Sequence, residues 1–201
     1  SKKLSLAQIT GIFSFILLRH HYFGVRLVFL LKFLDMKRIG ILSDTHVFWD
    51  DGLDVFFADC DEIWHAGDIG SLDLADKISN FKPLRAVHGN IDDHRVRISY
   101  PNFQYFHIED IQVLMTHIGG IPGRYDVNAK PLIEKLPANI FICGHSHILK
   151  VKFDKKYNFL YVNPGAAGNS GFHNVKTAIR FVIDADNLKN MEVWEKVRKG
   201  H

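Results

Sequence analysis

The sequence predicts a sheet-rich α/β sandwich rather than a purely parallel sheet, on three observations. From Met36 onward, short apolar runs of strand length alternate with stretches of helical periodicity. Towards the C-terminus the strand-like runs instead follow one another across short turns, the pattern of antiparallel hairpins. Finally, polar motifs follow the apolar runs at Asp44-x-His46, Gly67-Asp68, Gly89-Asn90, Thr116-His117 and Gly144-His145-Ser146-His147. Strand ends are where open α/β sheets bind their ligands.

Taken in order, Lys37-Arg38-Ile39-Gly40-Ile41-Leu42 supplies the first strand, expected over Arg38 to Leu42. Further strands are expected at Glu62 to Trp64, Leu84 to Val87, Gln112 to Met115 and Ile140 to Ile142, each ending just before a motif. Helices are expected at Gly52 to Ala58, at Leu72 to Asn80 with Ser71 as N-cap, and at Asn128 to Leu136. Phe103 to Ile108 and Ile111 to Met115, separated by Glu109-Asp110, predict one hairpin; Val151 to Phe153 and Phe159 to Val162 predict another. Thr177 to Ile183 and Glu192 to Val197 close the fold, so antiparallel pairing should dominate the second half.

At 201 residues, 47% hydrophobic and 23% charged, the chain suits one well-buried core, expected from Met36 to His201. Its formal charge of +3 comes from scattered Lys and Arg, which favours anionic ligands without a nucleic-acid footprint. Cys60 and Cys143 lie far apart in the sequence, with no spacing that suggests a disulfide framework or a zinc knuckle, which fits a reducing, cytoplasmic setting. Residues 1–35 read as a separate apolar extension, an appendage or upstream-start segment. Arg19, His20, His21, Arg26 and Lys32 break its apolar runs below the roughly 18 to 20 residues of a membrane span. A surface-lying amphipathic helix, or a segment packed on the domain or a second subunit, are the alternatives.

The five motifs together offer two carboxylates, one amide and four imidazoles, a donor stock for two divalent ions. Asp44 and His46, two apart, would share a side of an extended segment; alone, they also read as an N-cap with a surface histidine. The two histidines after Gly144 would share a face in a strand, whereas a tight turn could aim them at adjacent ions. Gly67-Asp68 and Gly89-Asn90 alone are ordinary turns in which glycine permits a sharp exit. Two cations about 3.5 to 4 Å apart need a bridging anion, for which Asp68 is the candidate. Asn90 would complete one ion without adding charge.

In this order and spacing, the motifs from Asp44 to His147 resemble the calcineurin-like metallophosphoesterase superfamily, in particular its small single-domain phosphodiesterases of the YfcE type. The resemblance covers Arg38 to about Ile183. It implies two facing mixed β-sheets flanked by helices, a four-layer sandwich, with a dinuclear site at the sheet edge. It implies that Asp44, His46, Asp68 and His147 hold one ion, and Asp68, Asn90, His117 and His145 the other, and that Asn163-Pro164-Gly165-Ala166 stands near them. Two departures bear on substrate: Ile91 stands where many members carry a histidine that assists the leaving group, and Thr116-His117 continues into a longer loop to Tyr125, expected to be flexible and to shape the mouth.

The implied reaction is phosphodiester hydrolysis by a metal-bridging hydroxide, with Asn90, His117 and Asp68 as the catalytic set and two divalent ions, Mn²⁺ first and Fe, Zn²⁺ or Ni²⁺ as alternatives. The expected partner is a small phosphoester, with a homo-oligomer left open. The rival readings are a protein-binding scaffold of the same fold, as in a retromer subunit, and a phosphomonoesterase or nucleotide pyrophosphatase. His65, His88, His94, His107 and His173 read as structural, with His88 and His173 the best exceptions. Arg95, Arg97 and Arg124 could clamp a phosphate but read better as surface residues, and Phe103, Tyr105 and Phe106 read as core.

Overall fold

Strand β1 (Lys37–Leu42) shows how the chain is layered. Side chains alternate along a strand, so Ile39 and Ile41 point into one apolar cluster while Leu42 joins another on the opposite face. The same division runs through the whole domain. The structure, a computed structural model, describes residues 36–198, and the apolar extension expected at residues 1–35 lies outside the described residues.

One five-stranded sheet has the order β12-β11-β1-β2-β3, with β2 (Glu62–His65), β3 (Leu84–Ala86), β11 (Val175–Asp184) and β12 (Asn187–Val197). In it β1, β2 and β3 run parallel, while β11 is antiparallel to both β1 and β12. The other sheet has the order β4-β5-β8-β10-β9, built from β4 (Phe103–Ile108), β5 (Ile111–Thr116), β8 (Ile140–Ile142), β9 (Leu149–Asp154) and β10 (Phe159–Pro164). Its hairpins β4/β5 and β9/β10 are the two expected, but β8 pairs parallel with both β5 and β10. Antiparallel pairing therefore dominates the second half without filling it.

The two sheets face each other across a core to which Ile39, Trp64, Val113, Ile140, Val162 and Phe181 all contribute. Helices α1 (Asp51–Phe56), α2 (Leu72–Phe81) and α3 (His94–Ser99) cover the outer face of the first sheet through Leu53, Leu74, Ile78 and Val96. Helix α4 (Ala129–Lys135) covers the outer face of the second through Ala129 and Ile133, against Phe141 and Tyr161. The result is a four-layer α/β sandwich of two mixed sheets. Ser71 caps α2, its hydroxyl accepting from the Leu74 N–H at 3.2 Å. Among the described residues, no helix is long and apolar enough to cross a membrane.

Two elements depart from expectation. Helix α3 is only six residues long and buries a single side chain, Val96, so it carries almost no apolar period; its start is fixed by Asp93, which accepts from the Val96 N–H at 3.0 Å. The segment expected to be a flexible loop is a small hairpin of β6 (Gly120–Ile121) and β7 (Arg124–Tyr125). Its anchor is Tyr125, whose ring meets Phe141, Tyr157 and Phe159 and whose hydroxyl bonds Asp154.

Candidate metal centre

The chain leaves β1 in a left-handed turn, with φ of 55° at Asp44 and 47° at His46. These two residues therefore do not share a side of an extended segment, as their spacing suggested; the turn itself brings them together. Asp68, His145 and His147 take φ of 55°, 65° and 58°, so five of the ten non-glycine residues with positive φ among those described are predicted ligands. Asp and His tolerate this region better than most side chains, but it still costs about 1 to 3 kcal/mol each and persists only where neighbours enforce it. Here the N–H groups of Asp44, His46 and Val47 donate to the carbonyls of Gly67, Asp68 and Ile69 at 3.0, 3.1 and 2.9 Å, which extends the β1–β2 pairing into the loops. Gly67, with φ of 91°, makes the exit that turns Asp68 over the edge. At Gly89 the need is space, since a Cβ would lie 2.0 Å from Asp68 Oδ1.

Two groups of donor atoms result, Asp44 with His46 and His147, and Asp68 with His117 and His145, each with its atoms within 4.8 Å of one another. The tight turn after β8 thus sends His145 and His147 to different groups. Asn90 joins the second, its Oδ1 lying 3.1 Å from His117 Nε2. Asp68 Oδ2 stands between the groups, 3.2 Å from His117 Nε2 and 3.9 Å from His46 Nε2. Asp44 Oδ1 is 3.1 Å from His147 Nε2 and 4.0 Å from His117 Nε2. Either carboxylate is therefore placed to touch both groups, so position alone does not single out Asp68.

The chemistry of these atoms fits cations. His117 Nδ1 donates to the Ala66 carbonyl at 2.7 Å, which leaves Nε2 facing the oxygens of Asp68 and Asn90. Asp44 Oδ1 and His46 Nε2 are buried without a hydrogen-bond partner, a rare condition in folded proteins that a bound cation would relieve. Burial pushes the Asp68 carboxyl up, but the His117 bond and charge outweigh it and hold it below the usual carboxylate range. For His117, burial favours the neutral ring, and the Asp68 bond with the Asp44 charge reverses this and raises its pKa. Positive charge is favoured where the two groups meet.

The ligands are held by residues to which the sequence reading gave no role, Asp92 and Ser43, and by others it had weighed, Arg97, Asn163 and His65. Asp92, 4% exposed, accepts from the N–H groups of Ile69 (3.2 Å), Gly70 (2.6 Å) and Gly89 (2.8 Å), tying the Asp68 loop to the Asn90 loop. Arg97 binds the carbonyls of Gly89, Asn90 and Asp92 at 2.7 to 3.0 Å, so it clamps backbone rather than phosphate. The Ser43 hydroxyl (2.6 Å) and the His145 N–H (3.1 Å) engage Asp44 Oδ2. Asn163 donates to the Gly144 carbonyl at 2.8 Å and to Ser146 Oγ at 3.1 Å, which places the Asn-Pro-Gly turn under the two histidines. His65 accepts from the Gly67 N–H at Nδ1, so Nε2 bears the hydrogen and donates to Thr45 Oγ1 at 2.9 Å. Burial pushes its pKa down to about 4. Asp92 was visible only as the last letter of Gly89-Asn90-Ile91-Asp92, with nothing in the sequence to name its three partners.

Of the other residues weighed, His173 has its ring 5.7 Å from that of His147, tilted by 53°, without joining a group. His88 donates from Nδ1 to the Tyr100 carbonyl at 2.8 Å. Phe106 packs on the central core and Phe103 on the cluster of Phe141 and Tyr161 beneath α4, while Tyr105 is 37% exposed. Cys143 precedes the Gly144 turn, but burial pushes its thiol up to about 12, so it offers no thiolate at neutral pH. Two clefts open from the second group. One of about 470 Å³ meets Asn90 and His117, and one of about 350 Å³ meets His145.

Residues 36–186 match the family model described as the calcineurin-like phosphoesterase superfamily domain. A probable metallophosphoesterase of Methanothermobacter thermautotrophicus is 30% identical over 134 residues, 64% of this chain and 76% of that protein. Among solved structures, an archaeal phosphodiesterase is 23% identical with a TM-score of 0.57, covering 80% of this chain and 99% of that one. Vps29 of Entamoeba histolytica, solved with Zn²⁺, is 16% identical with a TM-score of 0.61, covering 81% and 99%. The structural likenesses speak for the fold alone, but the family model spans most of the chain and starts where the motifs lead it to. The chain belongs to the calcineurin-like phosphoesterase superfamily.

Proposed function

We propose that this chain is a metal-dependent phosphodiesterase that holds two divalent ions in one centre. The observation that carries the reading is the pairing of two three-residue donor groups, with Asp44 Oδ1 and His46 Nε2 of the first buried and without a hydrogen-bond partner. Bound there, the ions would supply positive charge for the phosphoryl oxygens and would lower the pKa of a water towards neutrality. Asp44 and Asp68 balance the cationic charge, the four imidazoles fix position, and Asn90 adds a neutral oxygen. Asp92 and Arg97 keep the loops in register. Mn²⁺ is the first candidate, with Fe, Zn²⁺ or Ni²⁺ as alternatives; nitrogen and oxygen donors without thiolate suit all of them.

Diesters are preferred for two reasons. Ile91 is 46% exposed at the site and cannot donate a proton to a poor leaving group. Two clefts leave the same ligand group, matching the two ester arms that diverge from a diester phosphorus. Likeness to a solved archaeal phosphodiesterase agrees with this. The two free, buried cysteines suit a cytoplasmic setting. The likeness to Vps29 supports the second reading, a protein-binding scaffold with weak or no catalysis. Metal-loaded protein assayed with bis(4-nitrophenyl) phosphate and 4-nitrophenyl phosphate separates the two. The enzyme reading expects chelator-sensitive turnover favouring the diester; a rate no higher than the metal blank leaves the scaffold.

A further inference from the structure

The β6/β7 hairpin is fixed from below. Besides the Tyr125 contacts, the Tyr161 hydroxyl donates to the Gly120 carbonyl at 2.8 Å and the Asp126 N–H closes on the Gly119 carbonyl at 3.1 Å. A hairpin held this way has no need of apolar side chains on its outer side. Even so, Ile118, Ile121 and Val127 are 37%, 44% and 78% exposed. All three line the smaller cleft, whose inner end is Gly144, His145 and Ser146. Ile118 directly follows His117 and also lines the larger cleft, together with Phe103, Ala129 and Leu132. It stands on the border between the two, beside the second donor group, with hydrocarbon on either side.

A phosphoester seated against His117 and His145 with its ester arms in these two clefts would have Ile118 beside both arms. Arg124 and Asp126 are the guanidinium and the carboxylate in the smaller cleft, and their opposite signs give no net preference for a charged arm. We propose that the hairpin is a specificity wall: the smaller cleft takes a hydrocarbon arm of the substrate, so the substrate is an amphipathic phosphodiester with at least one flexible apolar ester group. This rests on the phosphodiesterase reading above.

The test is a series of 4-nitrophenyl alkyl phosphates with methyl, butyl and octyl arms, hydrolysed by the full metal-loaded chain, with Ile118→Asn and the double variant Ile121→Asn/Val127→Asn. Since these side chains are exposed, the variants should fold. The readout is the octyl-to-methyl ratio of kcat/KM within each protein, so that a general loss of activity cancels. A fully buried methylene contributes about fourfold, and in an open cleft a ratio of roughly tenfold or more is expected for the wild type. Both variants should bring it to about one to threefold. A wild-type ratio near one, or a ratio that survives in both variants, overturns the wall while leaving the phosphodiesterase reading intact. Hydrolysis of no member of the series, methyl included, rejects the phosphodiesterase reading and the wall with it.

Discussion

Replacing Asp92 by Asn removes one acceptor from a carboxylate that takes three backbone N–H groups while almost fully buried. If the amide oxygen keeps the Ile69 and Gly89 bonds, its NH₂ group is left facing the Gly70 N–H, formerly at 2.6 Å from the carboxylate. Bonds to a charged acceptor contribute about 1.5 to 3 kcal/mol and neutral ones about 0.5 to 1.5. Losing the shortest bond and weakening two others should therefore cost about 3 kcal/mol, less whatever is recovered by no longer burying a charge. At about 2 to 4 °C per kcal/mol for a domain of this size, the melting temperature should fall by roughly 6 to 12 °C. Because the lost bonds join the loops of Asp68 and Asn90, metal affinity should also fall, by about 10- to 100-fold as for other residues that orient ligands. Thermal melts in chelator report the first effect, and competition with a metallochromic dye reports the second. Ser71→Ala is the control, expected to cost about 1 kcal/mol through its cap without changing metal affinity. An Asp92→Asn protein that melts within 2 °C of wild type and binds metal equally well would refute the role assigned to this residue.

His65, buried and neutral with its pKa pushed down to about 4 from 6.5, takes up a proton more readily when unfolded. Stability should thus be full above about pH 6.5 and decline as pH falls towards 4, by up to about 3 kcal/mol; denaturant melts from pH 7 to 5 should show that slope, and His65→Gln should flatten it. A flat wild-type profile would contradict the assignment. Ile91→His should accelerate alkyl phosphomonoesters more than aryl diesters, measured as paired pH–rate profiles, whereas equal changes on both would remove the leaving-group argument. A chain starting at Met36 should fold and keep metal-dependent turnover, since every proposed ligand lies beyond it; an unfolded or metal-free product would mean that residues 1–35 belong to the domain.

How far the sequence could be read depended on the range of the interactions involved. Strands β1 to β5 and β8 could be placed because apolar runs and the polar motifs that end them are local signals, and Ser71 was a visible cap for the same reason. The short α3 had one buried residue and hence no period to detect. The β6/β7 hairpin had an anchor, Tyr125, whose aromatic partners lie up to 36 residues away in the chain. The seven proposed ligands could be picked out as motifs, but the left-handed backbone at Asp44 and His46 could not, since residue spacing does not report φ. Asp92 and Asn163 act through bonds to backbone groups of distant loops, and such partners exist only once the sheets have come together.

The account stands or falls on the metal content of the purified, reconstituted chain, measured for the wild type, Asp68→Asn and Asp44→Asn together. It predicts two divalent ions per wild-type chain. It also predicts that Asp68→Asn, with a neutral amide between the groups, loses most of the metal and nearly all diester turnover, and that the Asp44 variant shows which of the two carboxylates serves both groups. An Asp68→Asn protein that keeps two ions and wild-type turnover would contradict the bridging assignment, and a wild type that binds no divalent ion would contradict the metal centre itself.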